Sequence, residues 1–180
     1  MVFKFNTFIG VDYDKKHTAE EANSFENVVS VRRVTKVTKG GKRFGFSAFV
    51  VSGDQKGNIG IALGKSKEVS SAIAKATLRA RKNRIAVPLR ETTIPYSVEG
   101  SHGASRVVIR AASKGTGMIA GGAMRAVMEA LGVKDILAKS LGASNQQNVV
   151  KATLNALAKL RSADHIAKLR GKTIKEMVKG

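Results

Sequence analysis

Between Val28 and Val50 the chain reads as two alternating runs separated by the turn Lys39-Gly40-Gly41-Lys42. In the first, Val29, Val31, Val34 and Val37 alternate loosely with Arg32, Arg33, Lys36 and Thr38; in the second, Phe44, Phe46, Ala48 and Val50 recur at every other position. A strand sends successive side chains to opposite faces, so a period of two on both sides of a Gly-Gly pair predicts an antiparallel hairpin and excludes a helix. The glycines permit the positive φ of a tight connection. The slip in spacing between Val31 and Val34 predicts a bulge in the first strand.

The pattern continues as a compact unit. A second turn at Gly53-Asp54-Gln55-Lys56-Gly57-Asn58 leads into a strand through Ile59, Ile61 and Leu63. Ser66 is a candidate N-cap, and Val69, Ala72, Ile73, Ala76 and Ala80 then repeat at helical spacing to about Arg84. Pro88 and Pro95 interrupt the next stretch, where Thr92 to Val98 is expected as a strand. After it come a strand through Val107, Val108 and Ile109, a helix from Met118 to Leu131 opened by Gly115-Thr116-Gly117, a strand from Ile136 to Lys139, and a helix from Asn145 to Leu160. Ser144 and Gln147 are a capping box for that helix. The fold class is α+β. The expected divisions are an extension over 1–27, a three-stranded sheet plus helix over 28–91, an α/β domain over 92–165 and a basic tail over 166–180.

Charge narrows the partner. The 180 residues carry 32 Lys and Arg against 13 Asp and Glu, a net charge of +19 and a pI near 10.6. The first thirty residues are mildly acidic, so the excess lies in the folded body. Such an excess predicts a polyanion whose binding weakens steeply with salt as condensed counterions are released. A hydrophobic content of 43% supplies real cores. Without Cys there are no disulfides and no thiolate zinc sites, and His17, His102 and His165 stand apart from any ligand-spaced carboxylates. No nucleophile is paired with a general base, and no cofactor is implied. The apolar run Val2 to Val11 is broken by Lys4 and Asn6 and is not read as a leader; nothing later approaches a membrane span.

Three constellations compete for function. Lys39, Lys42 and Arg43 surround an unobstructed turn, with Arg32, Arg33 and Lys36 on the strand before it, and together they suit phosphate oxygens better than an idle solvated hairpin would. Lys75, Arg79 and Lys82 share a helical face that reads first as solvated, and Phe44 and Phe46 read first as core rather than as stacking platforms. The rival is Gly115-Thr116-Gly117-Met118-Ile119-Ala120, which fits a loose dinucleotide fingerprint with Asp135 twenty residues on. Against it, Asp135 does not end a strand, the remaining chain is short for a doubly wound sheet, and no catalytic partner follows. Gly121, Gly122, Ala123 and Ala126 instead leave a small-sided helix that another backbone can approach closely.

The order of longer motifs then carries a resemblance. Lys39-Gly40-Gly41, Phe44, Phe46, Gly53-Asp54, Gly57, Gly64-Lys65 and Glu68-Val69 come first, followed by Gly115 through Val127, Leu137-Ala138-Lys139-Ser140 and Asn148 through Thr153. Over about residues 28 to 172 the chain resembles the family of the fifth protein of the bacterial-type small ribosomal subunit. Gly45, Ser70 and Gln146 depart from the residues common there. The resemblance implies an N-terminal domain like the double-stranded-RNA-binding fold, a two-layer C-terminal α/β domain of that family's own type, and no enzymatic activity. It implies binding to small-subunit ribosomal RNA, a part in subunit assembly and decoding accuracy, and a ribosome of the cytoplasm or an organelle. The hairpin matching Lys36 to Lys42 would reach RNA near the spectinomycin site, with Arg32, Arg33 and Lys36 as RNA contacts or part of a messenger RNA entry surface. Gly115, Gly117 and Arg125 would lie near the fourth small-subunit protein, with the eighth as another neighbour.

Overall fold

The computed structural model describes residues 24–179. The run Val2 to Val11 and His17 lie outside the described residues. The first sheet has the order β1-β2-β3-β4, formed by Phe25–Thr38, Gly41–Gly53, Asn58–Ser66 and Ile85–Ala86, all antiparallel. Helix α1, Val69–Lys82, lies across it. The second sheet has the order β5-β6-β8-β7, from Val98–His102, Ser105–Ala111, Met118–Ile119 (β7) and Ile136–Gly142 (β8). Helices α2 (Gly122–Leu131) and α3 (Gln146–Leu157) belong to this second unit, and α4 (Ala163–Arg170) and α5 (Ile174–Lys179) follow.

Small residues decide how α1 meets its sheet. Ala72, Ala76 and Ala80 are fully buried, and they lie over Gly60 and Gly64 of β3. A Cβ at Gly64 would sit 2.1 Å from the Ala72 carbonyl oxygen and one at Gly60 2.0 Å from that of Ala80, so any side chain there must push the helix away. Cross-strand pairing of Gly60 with Ser52, Ala62 with Val50 and Gly64 with Ala48 puts Ser52, Val50 and Ala48 on the same helix-facing side.

The opposite face of β2 is buried as well. Phe49 and Val51, with Ile59 of β3, join one continuous core with Val127, Met128 and Leu131 of α2, Ile136 of β8 and Leu157 of α3. Contact is closest at Gly53, where a Cβ would lie 2.0 Å from the Ala130 carbonyl oxygen. The β2–β3 loop completes the junction: the amides of Gln55 and Gly57 donate to the Ala130 and Leu131 carbonyls, both at 3.1 Å. Those are carbonyls that a helix C-terminus leaves without internal partners. The Asp54 carboxylate holds the loop by accepting from the Lys56 amide at 2.8 Å, the Asn58 amide at 2.9 Å and the Asn58 side-chain amide at 2.6 Å.

Several elements differ from the sequence expectations. A two-residue β4 adds a fourth strand to the expected three. The bulge lies between Val28 and Ser30, and pairing runs unbroken past Val31 and Val34. Thr92 to Val98 is not a strand: Arg90 bridges Thr93 across a tight turn, and pairing starts only at Val98, after Pro95, which has no amide to contribute to a ladder. Met118 and Ile119 pair in parallel with Ile136 and Leu137 instead of opening a helix, and α2 begins after Gly121. The side chain capping α3 is Asn145, accepting from the Gln147 amide at 3.2 Å, one residue beyond the expected Ser144. For α1 the N-cap is Glu68 with no side-chain bond, in place of Ser66.

Candidate nucleic-acid interface

Strand β3 ends opposite Phe46, at the pair Phe46–Ser66. Past that point the segments 34–38 and 41–45 pair only with each other among the described residues, so they project as a two-stranded ribbon of roughly 17 Å at about 3.4 Å per residue. Residues from Val31 to Val37 and from Gly41 to Phe44 are exposed. Lys39 and Gly40 alone form the loop between the paired Thr38 and Gly41, and the Thr38 hydroxyl donates to the Gly41 carbonyl at 3.0 Å. Of the two glycines only Gly41 has positive φ, at 133°, so Gly40 is not required for its backbone angle.

From Asn27 to Gly53 there are six cations and no acid. Pairing distributes them over both faces. Arg33 opposite Phe46, Thr35 opposite Phe44 and Val37 opposite Lys42 share the α1 side, whereas Arg32 opposite Ser47, Val34 opposite Gly45 and Lys36 opposite Arg43 share the other. Lys39 sits at the tip. The Arg33 guanidinium lies over the Phe44 ring, 3.7 Å from its centroid, in a cation–π contact. Phe44 is 51% exposed, which corrects the expectation that it is core; Phe46 is half-buried and Phe49 buried. The reason is that β3 ends at Ser66, opposite Phe46, so Phe44 lies beyond the three-stranded part of the sheet.

The face carrying Lys75, Arg79 and Lys82 divides. Arg79 turns to the sheet and donates to the Leu63 carbonyl at 3.2 Å, while Lys75 faces a groove beside the ribbon. Sequence reasoning missed Lys65 and Lys67, which line the same groove; their only signal was two cations flanking Ser66 at a strand-to-helix turn.

The glycine loop of the second unit has an internal task. Asp135 is buried, and one of its carboxylate oxygens accepts from the amides of Gly115 and Gly117, each at 3.0 Å. The Gly117 amide, then the Thr92 side chain, hold its carboxyl below the usual aspartate range. The acid that a ribose would need is thus committed to the loop's own amides, and Met118-Ile119 is a strand, two further observations against the dinucleotide reading. Gly117 has φ of 76°, and a Cβ there would meet nothing within 4 Å. Arg125 is exposed and donates to the Met118 carbonyl at 3.2 Å, which brings it beside Gly117. Ile119 and Leu137, paired on adjoining strands, are exposed next to it. Among the described residues no group of His, Asp or Glu could hold a metal, and no helix is long and apolar enough to cross a membrane.

Family comparison fits this two-unit layout. Residues 25–88 match the N-terminal domain of ribosomal protein S5, and residues 100–170 match its C-terminal domain. A protein of Lawsonia intracellularis named small ribosomal subunit protein uS5 is 53% identical over 154 residues, 86% of this chain and 94% of that protein. The chain belongs to the ribosomal protein S5 family. Two further S5 relatives of the same name agree: one from Flavobacterium psychrophilum is 52% identical over 86% of this chain and 89% of its own, and one from Ruegeria pomeroyi is 50% identical over 92% and 88%. S5 proteins are structural ribosomal components and not enzymes, which agrees with the lack of paired catalytic groups in the sequence.

Proposed function

We infer that this chain is a structural constituent of the small ribosomal subunit, working in the cytoplasm as part of the ribosome, and that it grips small-subunit ribosomal RNA through the projecting hairpin. One observation carries the reading: a narrow two-stranded ribbon, exposed on both faces, that ends a hairpin with six cations and no acid between Asn27 and Gly53. Cations on one face only would suit a flat polyanion. On both faces they suit insertion between RNA elements, where phosphates approach from two sides. Arg32, Arg33, Lys36, Lys39, Lys42 and Arg43 are the proposed phosphate contacts, and Gly40 and Gly41 keep the tip thin enough to enter.

A second surface supports docking to another protein. The patch of Gly115, Gly117 and Arg125 is continuous with exposed Ile119 and Leu137, and apolar side chains reward a protein surface more than a phosphate backbone. The family resemblance makes the fourth small-subunit protein the proposed partner there, with the eighth as a neighbour and accuracy of decoding as the consequence. It also makes the ribbon a candidate for spectinomycin response and for the messenger RNA entry region.

Salt-dependent binding of the full chain to small-subunit ribosomal RNA tests the first part. Replacing Lys39, Lys42 and Arg43 by Ala is expected to flatten the slope of log affinity against log salt by about 0.7–0.9 for each phosphate that is no longer neutralised. An unchanged slope would reject the ribbon as the grip. For the second part, Gly117→Arg is expected to weaken binding to the fourth protein and, because Gly117 holds a φ of 76°, to lower the thermal midpoint modestly as well. Arg125→Ala, free of that backbone strain, is expected to weaken the same binding, and intact binding in both folded variants would reject that docking site.

A further inference from the structure

The ribbon and the turn from β3 into α1 enclose a groove of about 720 Å³ that the phosphate reading leaves unexplained. Its walls carry Lys36, Arg43, Lys65, Lys67 and Lys75, and Phe44 contributes aromatic surface to it. The volume falls in the range of small-molecule sites, about 300–1,000 Å³. One edge is formed by Arg43, Phe44 and Gly45, a part of β2 that β3 does not reach. The other is the connection through Ser66, Lys67 and Glu68. Among the described residues Glu68 is the only acid in the lining, and its carboxylate accepts from the Ser71 hydroxyl at 3.4 Å.

We propose that this groove holds an unpaired nucleotide of the bound RNA, its base against Phe44 and its flanking phosphates on the surrounding lysines. The proposal rests on the RNA-binding reading and adds the kind of RNA the site selects. Five cations explain attraction to phosphate but give no reason to leave half of an aromatic ring in water. A base supplies that reason, because every base has a π-face and a paired base in an A-form helix keeps its face stacked inside the duplex. The ring is prepared for the role. Arg33 lies over the ring and is not among the residues lining the groove, so the proposal has the base take the ring surface that the guanidinium leaves free. That cation–π contact restrains the ring on an otherwise bare ribbon, which lowers the entropy cost when a base docks.

Fluorescence anisotropy of the full chain with labelled oligouridine and with a labelled RNA duplex of equal length tests the idea. Phe44→Leu keeps apolar bulk and removes the π-face. It is expected to weaken oligouridine about tenfold, within the range for removal of one base stack, and to leave duplex binding essentially unchanged, whereas Phe44→Tyr behaves as the unaltered chain. Equal weakening on both RNAs, or none on oligouridine, overturns the groove assignment. The triple Ala variant of Lys39, Lys42 and Arg43 separates the two readings. If it weakens both RNAs while Phe44→Leu is silent, the groove fails and the ribbon stands; if it weakens neither, the ribbon reading itself has failed. Melting curves matching the unaltered chain confirm that each variant is folded.

Discussion

The lower and upper halves of one hairpin are built from the same two strands and meet opposite fates. Near Val50 both faces are closed, one by α1 and the other by α2 of the second unit; beyond Phe46 neither face is covered among the described residues. Local propensity does not separate them, since Val31, Val34 and Val37 are as β-prone as Val50 and Val51. Two tertiary facts do: where β3 stops, and where α2 packs. A strand pair buried on both sides contributes stability, and a pair bare on both sides contributes reach.

Substitutions can break that contrast from either end. The largest effect is expected at the base, where Gly64→Val would drive a side chain into the Ala72 carbonyl oxygen. Overpacking of this kind costs about 3 kcal/mol, roughly a 10 °C fall in Tm for a domain of this size, measured by calorimetry. RNA binding below the melting point should survive. The converse comes at the tip: the triple Ala variant of Lys39, Lys42 and Arg43 should lose about half of the salt dependence carried by the six proposed contacts while staying within about 0.5 kcal/mol of the original stability. If the tip variant instead lowers Tm as much as Gly64→Val, the two halves are not independent devices.

Smaller effects sharpen the boundary between them. Asp54 sits at the base, where burial opposes its ionisation but the Asn58 side chain and the Lys56 and Asn58 amides outweigh it, so its carboxyl lies below the ordinary 3.8. A depressed carboxylate contributes stability that is present above its unfolded-state pKa and disappears as pH falls through the folded one. Urea unfolding on descending pH should therefore show a loss in the acid range that Asp54→Asn makes shallower, with RNA affinity at neutral pH unaffected. Equal slopes for the two proteins would remove Asp54 as the holder of the junction loop. Smallest of all, Lys82→Ala, on an exposed helix position away from the groove lining, should leave stability and both kinds of RNA binding near the original values. A large drop in RNA affinity there would extend the interface across α1.

Much of the candidate site was legible before any fold was known. The cations of the turn and strand stand in plain view, and the Gly-Gly pair marks the hairpin between them. The face each cation occupies was not legible, because it depends on which side of β2 carries α1 and which carries α2, and that is set by packing distant in sequence. Lys65 and Lys67 were passed over because cations beside a turn have no meaning until the turn is placed next to another charged element. Asp135 is instructive in a different way. A glycine loop with an acid twenty residues on is the spacing of a dinucleotide site, but amides that can bind a phosphate can equally bind a carboxylate of their own chain, and only burial tells the two apart.

The sequence by itself determined that this chain forms a β-hairpin with a cationic turn, that it carries enough apolar residues for packed α+β units, and that its net charge favours a polyanionic partner. Periodicity and net charge are properties of the chain alone, so they could be read from it. Only the tertiary structure decided which part of the hairpin is core and which is probe, that Phe44 faces water beneath Arg33, and that the Gly115 loop encloses its own aspartate. Each of those depends on what lies opposite a residue, and that is set by elements distant in sequence: the end of β3, the C-terminus of α2 and the start of β8.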